Sequence, residues 1–280
     1  MKTLSIVMSY YNRQAQLALT LKSIEKSILS DKIEVIIVDD ASDEDQRAKP
    51  VIKNSKLNIK LMEISKEERV WKNPCIAYNR GFRKASGEII IIQSAECVHI
   101  GDLIYHAANN TTDEKYLTYS CFCTNYEISR QITENWDINY REVIDILNRL
   151  RQQHPQLSDW IGWYNHIIYR PTGYHWLSAI TAKNLKKLGG FDEQYKDAFA
   201  YDDNDFFLRI KIMGLYIEII SEDIGFTVHQ QHTRFGDSLQ TKGMRSQTNH
   251  NLFYKLKAKY EKEYGKKFSP YKKSNALLLG

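Results

Sequence analysis

The chain contains no run of 18 or more apolar residues, which excludes a membrane-spanning helix of the ordinary kind. Cysteine is scarce. Cys75, Cys97, Cys121 and Cys123 lack the C-x-x-C pairs of a zinc site and are too few for a disulfide framework. They read as reduced thiols, and with them the chain reads as cytoplasmic. Internal repeats, low-complexity tracts and Pro/Gly-rich linkers are also missing, so nothing marks a solenoid or a flexible hinge between domains.

What remains is an ordinary globular composition, 42% hydrophobic and 26% charged, on 280 residues. That length can bury a sizeable core. The start, MKTLSIVMSYYNR, has an apolar stretch but no small-residue cleavage site, and it reads as a first strand rather than a signal peptide. The net charge of +5 is unevenly placed. Between Lys242 and Lys273 lie ten Lys/Arg against Glu261 and Glu263, while Leu252, Phe253, Leu256 and Tyr260 recur at helical spacing. A basic amphipathic helical extension over 236–280 is expected, with one face docked on something apolar. Its basic residues suit peripheral contact with anionic lipid.

The first half alternates strand and helix. Leu4–Ser9, Ile33–Val38, Ile59–Ile64 and the run EIIII read as strands. Between them, Leu17, Leu21, Ile24 and Ile28 mark one helix, and Pro74–Ser86 another that begins with proline in its first turn. Continuous apolar strands in such alternation imply a parallel sheet covered on both faces, with ligands at the strands' carboxyl ends. Tyr10-Tyr11-Asn12, Asp39-Asp40 and Ser94–Glu96 all fall at such ends. In the second half, Tyr116–Tyr126 and Tyr216–Ile220 read as strands and Arg141–Gln152 as an amphipathic helix. The aromatic segment from Trp160 to Trp176 precedes GGFDE, YDDND and TVHQQH.

The ordered series SIVMSYYNR, EVIIVDDASDE, a helix–strand unit ending in a polar triplet, GGFDE and YDDND resembles the family 2 glycosyltransferases over about Met1 to His232. The resemblance implies the GT-A fold: an α/β, Rossmann-like, mostly parallel sheet with helices on both faces. That domain would occupy 1–235, divided into a nucleotide-sugar half (1–115) and an acceptor and catalytic half (116–235). It further implies an inverting transfer from a nucleoside diphosphate sugar, such as UDP-hexose or UDP-N-acetylhexosamine, to the hydroxyl of a saccharide or lipid-linked glycan. Nucleic acid has no place in that reading. The implied setting is capsule, lipopolysaccharide or other polysaccharide biosynthesis at the cytoplasmic face of a membrane.

The resemblance assigns donor contacts to Ser9 and Tyr11, whose hydroxyl and ring suit a nucleobase, and to Asp39. Asn79 matches a family position near the nucleotide. The usual D-x-D becomes Ser94-Ala95-Glu96, so one carboxylate is retained for Mn²⁺ or Mg²⁺, ions that need few protein ligands when a diphosphate supplies oxygens. An imidazole from TVHQQH completes that set. His229 is favoured over His232, and His99 is a weaker competitor. Asp203 matches the family's base, which takes the acceptor's proton, and Asp202 would orient it or bind acceptor hydroxyls; the two are interchangeable at this point. His175, Trp176 and Tyr201 are the aromatic candidates for the acceptor, with Tyr169 beside them.

Two other functions compete. A degenerate protein that binds sugar nucleotide or glycan without turnover is suggested by Ser94, and opposed by the joint retention of Glu96, Asp203 and His229. A nucleotidyltransferase on a similar sheet would need a glycine-rich phosphate loop, and MSYYNRQAQ has no glycine. A metal-independent transferase is a variant of the main reading.

Overall fold

The computed structural model describes residues 2–232 and 239–265, with the side chains of 239–246 left aside. Strands and helices follow one another as β1 (Leu4–Tyr10), α1 (Gln14–Ile24), β2 (Ile33–Asp39), the short α2 (Lys49–Ile52), β3 (Asn58–Glu63), α3 (Cys75–Lys84) and β4 (Ile89–Ser94). Next come β5 (Cys97–Ile100), α4 (Leu103–Asn110), β6 (Lys115–Tyr119), β7 (Cys121–Cys123), α5 (Tyr126–Asn135), α6 (Tyr140–Gln153) and β8 (Gly162–Asn165). The remainder is β9 (Leu177–Thr181), α7 (Ala182–Leu188), α8 (Asp202–Ile212), β10 (Tyr216–Ile220), β11 (Phe226–His229) and α9 (Leu239–Tyr264).

Seven strands form the main sheet in the order β10-β6-β9-β4-β1-β2-β3. Only β9 runs against its neighbours. Central strands are buried on both sides because alternate residues feed two cores. Leu4, Ile6 and Met8 of β1 face α1 and α4 through Leu17, Leu21, Leu103 and Ile104. Val7 of the same strand joins Ile36, Val38 and Ile90 under α3, α7 and α8, with Ala77, Leu185 and Phe206. Gly81 lets α3 lie directly on β1, since a Cβ there would stand 2.4 Å from Val7 Cγ1.

The chain passes outward from β1 to β2 and β3, then returns to place β4 on the other side of β1. Strand order reverses between β1 and β4, and in open α/β sheets ligands bind outside the carboxyl ends at such a point. Ser9 and Ser94 are register partners across that junction, and Tyr10 pairs with Asp39 on the opposite side.

A second, four-stranded sheet in the order β5-β11-β7-β8 was not foreseen. It packs Val98, Phe122, Trp163 and Val228 against Ile132, Trp136, Val143 and Leu147 of α5 and α6. The expected strand Tyr116–Tyr126 is broken at Ser120, with β6 in the first sheet and β7 in the second. Likewise, α1 ends at Ile24, leaving Ile28 68% exposed beyond the predicted apolar stripe. All four cysteines are free and buried. No described helix is long and apolar enough to cross a membrane. The C-terminal helix exists as expected, but Lys266, Lys267, Lys272 and Lys273 lie outside the described residues.

Candidate active site

Strand β4 ends at Ser94, and a tight turn of Ala95 and Glu96 passes into β5. Gln93 fixes that turn from within. Its buried amide donates to the Cys97 carbonyl (2.9 Å) and meets His99 Nε2 (3.1 Å). This engagement explains why His99 does not serve Glu96. From the other side, the backbone N–H and side-chain amide of Gln230 both donate to the Glu96 carbonyl, each at 3.1 Å. Strand β11 delivers His229 into the same space, antiparallel to β5 with His229 opposite Cys97.

The Glu96 carboxylate is buried and meets two imidazoles: Oε1 lies 3.4 Å from His229 Nε2 and 3.5 Å from His232 Nε2. Ligand atoms of all three residues lie within 4.8 Å of one another, a spread that one divalent ion can bridge. Both histidines stand beside Glu96, so the geometry offers His232 alongside the favoured His229. Burial alone would raise the Glu96 pKa; the Arg13 guanidinium, then the two imidazoles, outweigh it and hold the group well below the carboxylate range. Burial lowers the pKa of His229, which favours the neutral form that ligates metal. Its Nδ1 is buried with no hydrogen-bond partner among the described residues. One carboxylate and two imidazoles are a donor set that fits a divalent metal ion.

Arg13 escaped the sequence reading. It follows β1 and places Nη1 2.8 Å from Glu96 Oε2, with its own side chain 25% exposed. The only signal was its place in YYNR, three residues past a strand end aimed at the crevice.

On the nucleotide side, Asp39 is buried, and its two oxygens accept from Ser42 N (3.0 Å) and Ala48 N (2.9 Å). It thereby shapes the wall of a cavity of about 300 Å³ that Arg47, Ser65 and Lys66 also line. Neighbouring Asp40 holds Arg69 Nε (3.1 Å) and Trp71 Nε1 (2.9 Å). The Arg69 guanidinium lies 4.4 Å from the centre of the Tyr11 ring, so one face of that ring is taken. Asn79 differs from its expected role. Its amide donates to the Phe191 carbonyl and to Glu193, and its oxygen accepts from Phe191 N, each at 2.9 Å. These bonds commit it to the GGFDE turn rather than to a donor. Gly190, at φ +74°, is required there because a Cβ would meet Asn79 Oδ1 at 2.4 Å.

The acidic cluster opens α8. Asp202 is buried and accepts from Asn73 Nδ2 at 2.9 Å. Asp203 is half-buried, and burial followed by repulsion from Asp202 pushes its pKa up to about 7. A carboxyl group that titrates in that range is chemically suited to proton exchange near neutrality.

One short stretch joins this acid pair to the Glu96 cluster. Tyr174 Oη accepts from Asn204 Nδ2 at 2.7 Å, and burial together with the Asp203 charge raises its pKa to about 12. The Trp176 carbonyl accepts from Ser94 N at 3.1 Å, and its ring stands edge-on to His229 with centroids 5.1 Å apart. His175, between them, points elsewhere. It packs against Phe191 and Tyr78 at 4.8 and 5.5 Å, and burial lowers its pKa to about 4. An acceptor contact through His175 is therefore not what the geometry offers. Tyr201 is likewise turned away, its ring against His250 and Phe253 of α9.

The family model for glycosyl transferase family 2 matches residues 5–174, and the chain belongs to that family. Solved structures with the same fold include a mannosyltransferase, PcManGT from Pyrobaculum calidifontis, in complex with GDP-Man and Mn²⁺. It is 18% identical with a TM-score of 0.57, over 92% of this chain and 64% of that one. Another is TarS 1-349 of S. aureus in complex with UDP-GlcNAc, 14% identical with a TM-score of 0.57, over 84% and 61% of the two chains. The chain thus spans less than two-thirds of the length of either. The expected GT-A architecture is borne out. A comparison with curated protein sequences found no match. The matched segment ends before Asp203, His229 and His232, so these rest on geometry alone.

Proposed function

We propose that the protein transfers a sugar from a nucleoside diphosphate sugar to a hydroxyl acceptor, with inversion at the anomeric carbon. The observation that carries this is the Tyr174–Trp176 bridge. It links Asn204, the neighbour of an Asp203 whose pKa is raised to about 7, to His229 of the buried Glu96–His229–His232 cluster. Base and ribose are assigned to the crevice between Tyr11 and the cavity walled by Asp39, with Ser9 and Ser94 at its floor. Asp203 takes the proton of the acceptor hydroxyl as its oxygen attacks the anomeric carbon. The bond from that carbon to the phosphate oxygen breaks, and the nucleoside diphosphate leaves with the electron pair. Asp202, held by Asn73, keeps Asp203 in its high-pKa state. Glu96, His229 and His232 would hold a divalent cation, which when bound neutralises diphosphate charge. Arg13 offers a second positive charge at the same place.

The neighbours' complexes with GDP-Man and UDP-GlcNAc make both nucleotides sensible first donors. Trp176, and Tyr174 two residues before it, are the aromatic groups this reading offers to an acceptor. The test is incubation with a panel of UDP- and GDP-linked sugars and Mn²⁺, following release of UDP or GDP. Release that depends on Asp203 supports the proposal; no release and no thermal shift with any donor would defeat it.

The Arg13–Glu96 ion pair favours one variant, in which the guanidinium alone offsets the diphosphate charge. Under that variant EDTA leaves turnover intact, whereas under the main reading it abolishes turnover.

A further inference from the structure

Helix α8 starts without a side-chain cap. Its entrance is unusual: Ala200 and Tyr201, neither of them glycine, both adopt left-handed backbone at φ +63° and +68°. Such conformations persist only where the surroundings impose them. Part of the restraint comes from below, where Lys72 N and Asn73 N both donate to the Lys196 carbonyl at 2.8 and 3.1 Å. Asn73 also holds Asp202.

The rest comes from α9. Asn249 is 1% exposed. Its amide nitrogen lies 3.0, 2.9 and 2.9 Å from the carbonyls of Tyr195, Ala198 and Ala200, so its two hydrogens are shared among three acceptors. The next turns of α9 place His250 edge-on to the Tyr201 ring at 5.3 Å and Phe253 at 5.6 Å. The segment 195–201 is therefore clamped between α9 and the Asn73 loop, and its last residue leads directly into Asp202 and Asp203.

We infer that Asn249 is a positioning residue for transfer: through the Tyr195, Ala198 and Ala200 carbonyls it fixes the entrance of α8 and so the place of Asp203. The inference rests on the reading of Asp203 as base. An asparagine suits this place because its short side chain brings two donor hydrogens to three carbonyls that converge from the 3-10 turn Glu193–Asp197 and the residues after it. Removing those donors frees the left-handed pair to relax. A displacement of the base of about an ångström is enough to cost roughly a hundredfold in rate.

The experiment compares Asp203→Asn, Asn249→Ala and Phe253→Leu in the full chain, using the donor that the panel selects. Asn249→Ala is expected to lower kcat roughly ten- to hundredfold, with KM for the donor changed less than about twofold, because the carbonyls that Asn249 holds belong to none of the residues assigned to the donor. The acid limb of its kcat–pH profile moves as the surroundings of Asp203 change. Amide hydrogens of residues 201–205 exchange faster, a readout independent of turnover. If Asn249→Ala fails to fold, Phe253→Leu carries the test, with a smaller fall in kcat and the same exchange signature. A folded Asn249→Ala, or in its place Phe253→Leu, with kcat, pH midpoint and exchange as in the parent would overturn the inference. Full transfer by Asp203→Asn would instead remove the base assignment, whatever Asn249 does.

Discussion

The acid pair at the start of α8 makes the most direct prediction. The pKa of Asp203 is raised to about 7, first by burial and then by the charge of Asp202, against weaker opposition from backbone N–H groups. A base works only when ionised, so kcat should rise with pH through that value. For a single proton, the rate is about one-tenth of its ceiling at pH 6, half at pH 7 and about nine-tenths at pH 8. Asp202→Asn removes the second cause and leaves the first, while keeping an oxygen to accept from Asn73. The midpoint should therefore fall toward the ordinary aspartate value of 3.8 without reaching it. Because the two acids titrate together, the wild-type profile belongs to the pair, and the variant isolates Asp203. The assay is release of nucleoside diphosphate at saturating donor and acceptor between pH 5 and 9, with folding checked by circular dichroism at each pH. A rate flat from pH 6 to 8, or a midpoint in Asp202→Asn at or above that of the parent, would refute the reasoning.

Four other outcomes follow from local geometry. Glu96→Gln removes the charge from the cluster with His229 and His232, so Mn²⁺ affinity by titration calorimetry should drop at least about tenfold; equal affinity excludes Glu96 as a ligand. Gly190→Ala combines a left-handed backbone with a 2.4 Å approach to Asn79, and should cost about 2–4 kcal/mol, lowering Tm by roughly 5 °C or more. Asp40→Ala releases Arg69 and Trp71 together and should weaken binding of the nucleoside diphosphate about tenfold; unaltered binding would separate this loop from the donor site. Burial alone would raise the pKa of Glu34, but bonds from Lys60, Ser5 and Ser86 win and lower it from 4.5 to about 2. Its contribution is complete above pH 4.5 and lost as pH falls toward 2, about 2–3 kcal/mol in all, so denaturant titrations of Glu34→Gln should show a shallower acid slope.

Much of the nucleotide half was legible because its strands are buried on both faces. Leu4–Tyr10, Ile33–Asp39 and Ile89–Ser94 are mainly apolar runs, interrupted only by Ser5 and Glu34 before their polar ends. The second sheet had no comparable signature. Its strands are three or four residues long, too short for a period to register, and β5 follows β4 with only Ala95 and Glu96 between. Read as a single element, that region hides the turn which aims Glu96. Asn79 was misjudged for a different reason. An amide in a family-like segment suits a donor or a turn equally well, and only the three bonds to Phe191 and Glu193 decide between them.

The stretch Tyr174-His175-Trp176 carries three candidates that face different ways. His175 and Trp176 form a turn just ahead of β9, and a turn sends neighbouring side chains to different surroundings. The structure separates them in that way. Tyr174 and Trp176 serve the rim, at Asn204 and His229, while His175 enters the aromatic core with Phe191 and Phe206. This alternation is also what couples the two halves of the site. The stretch leads into β9, the one strand of the main sheet that runs against its neighbours, so it approaches the rim from outside the sheet. A strand parallel to β4 would begin at the far edge and could not bring a tyrosine to α8 and a tryptophan to β11 within three residues. The reversed strand, a departure from the all-parallel pattern of β1 to β4, is thus what sets Tyr174 beside Asn204 and, two residues on, Trp176 beside Ser94 and His229.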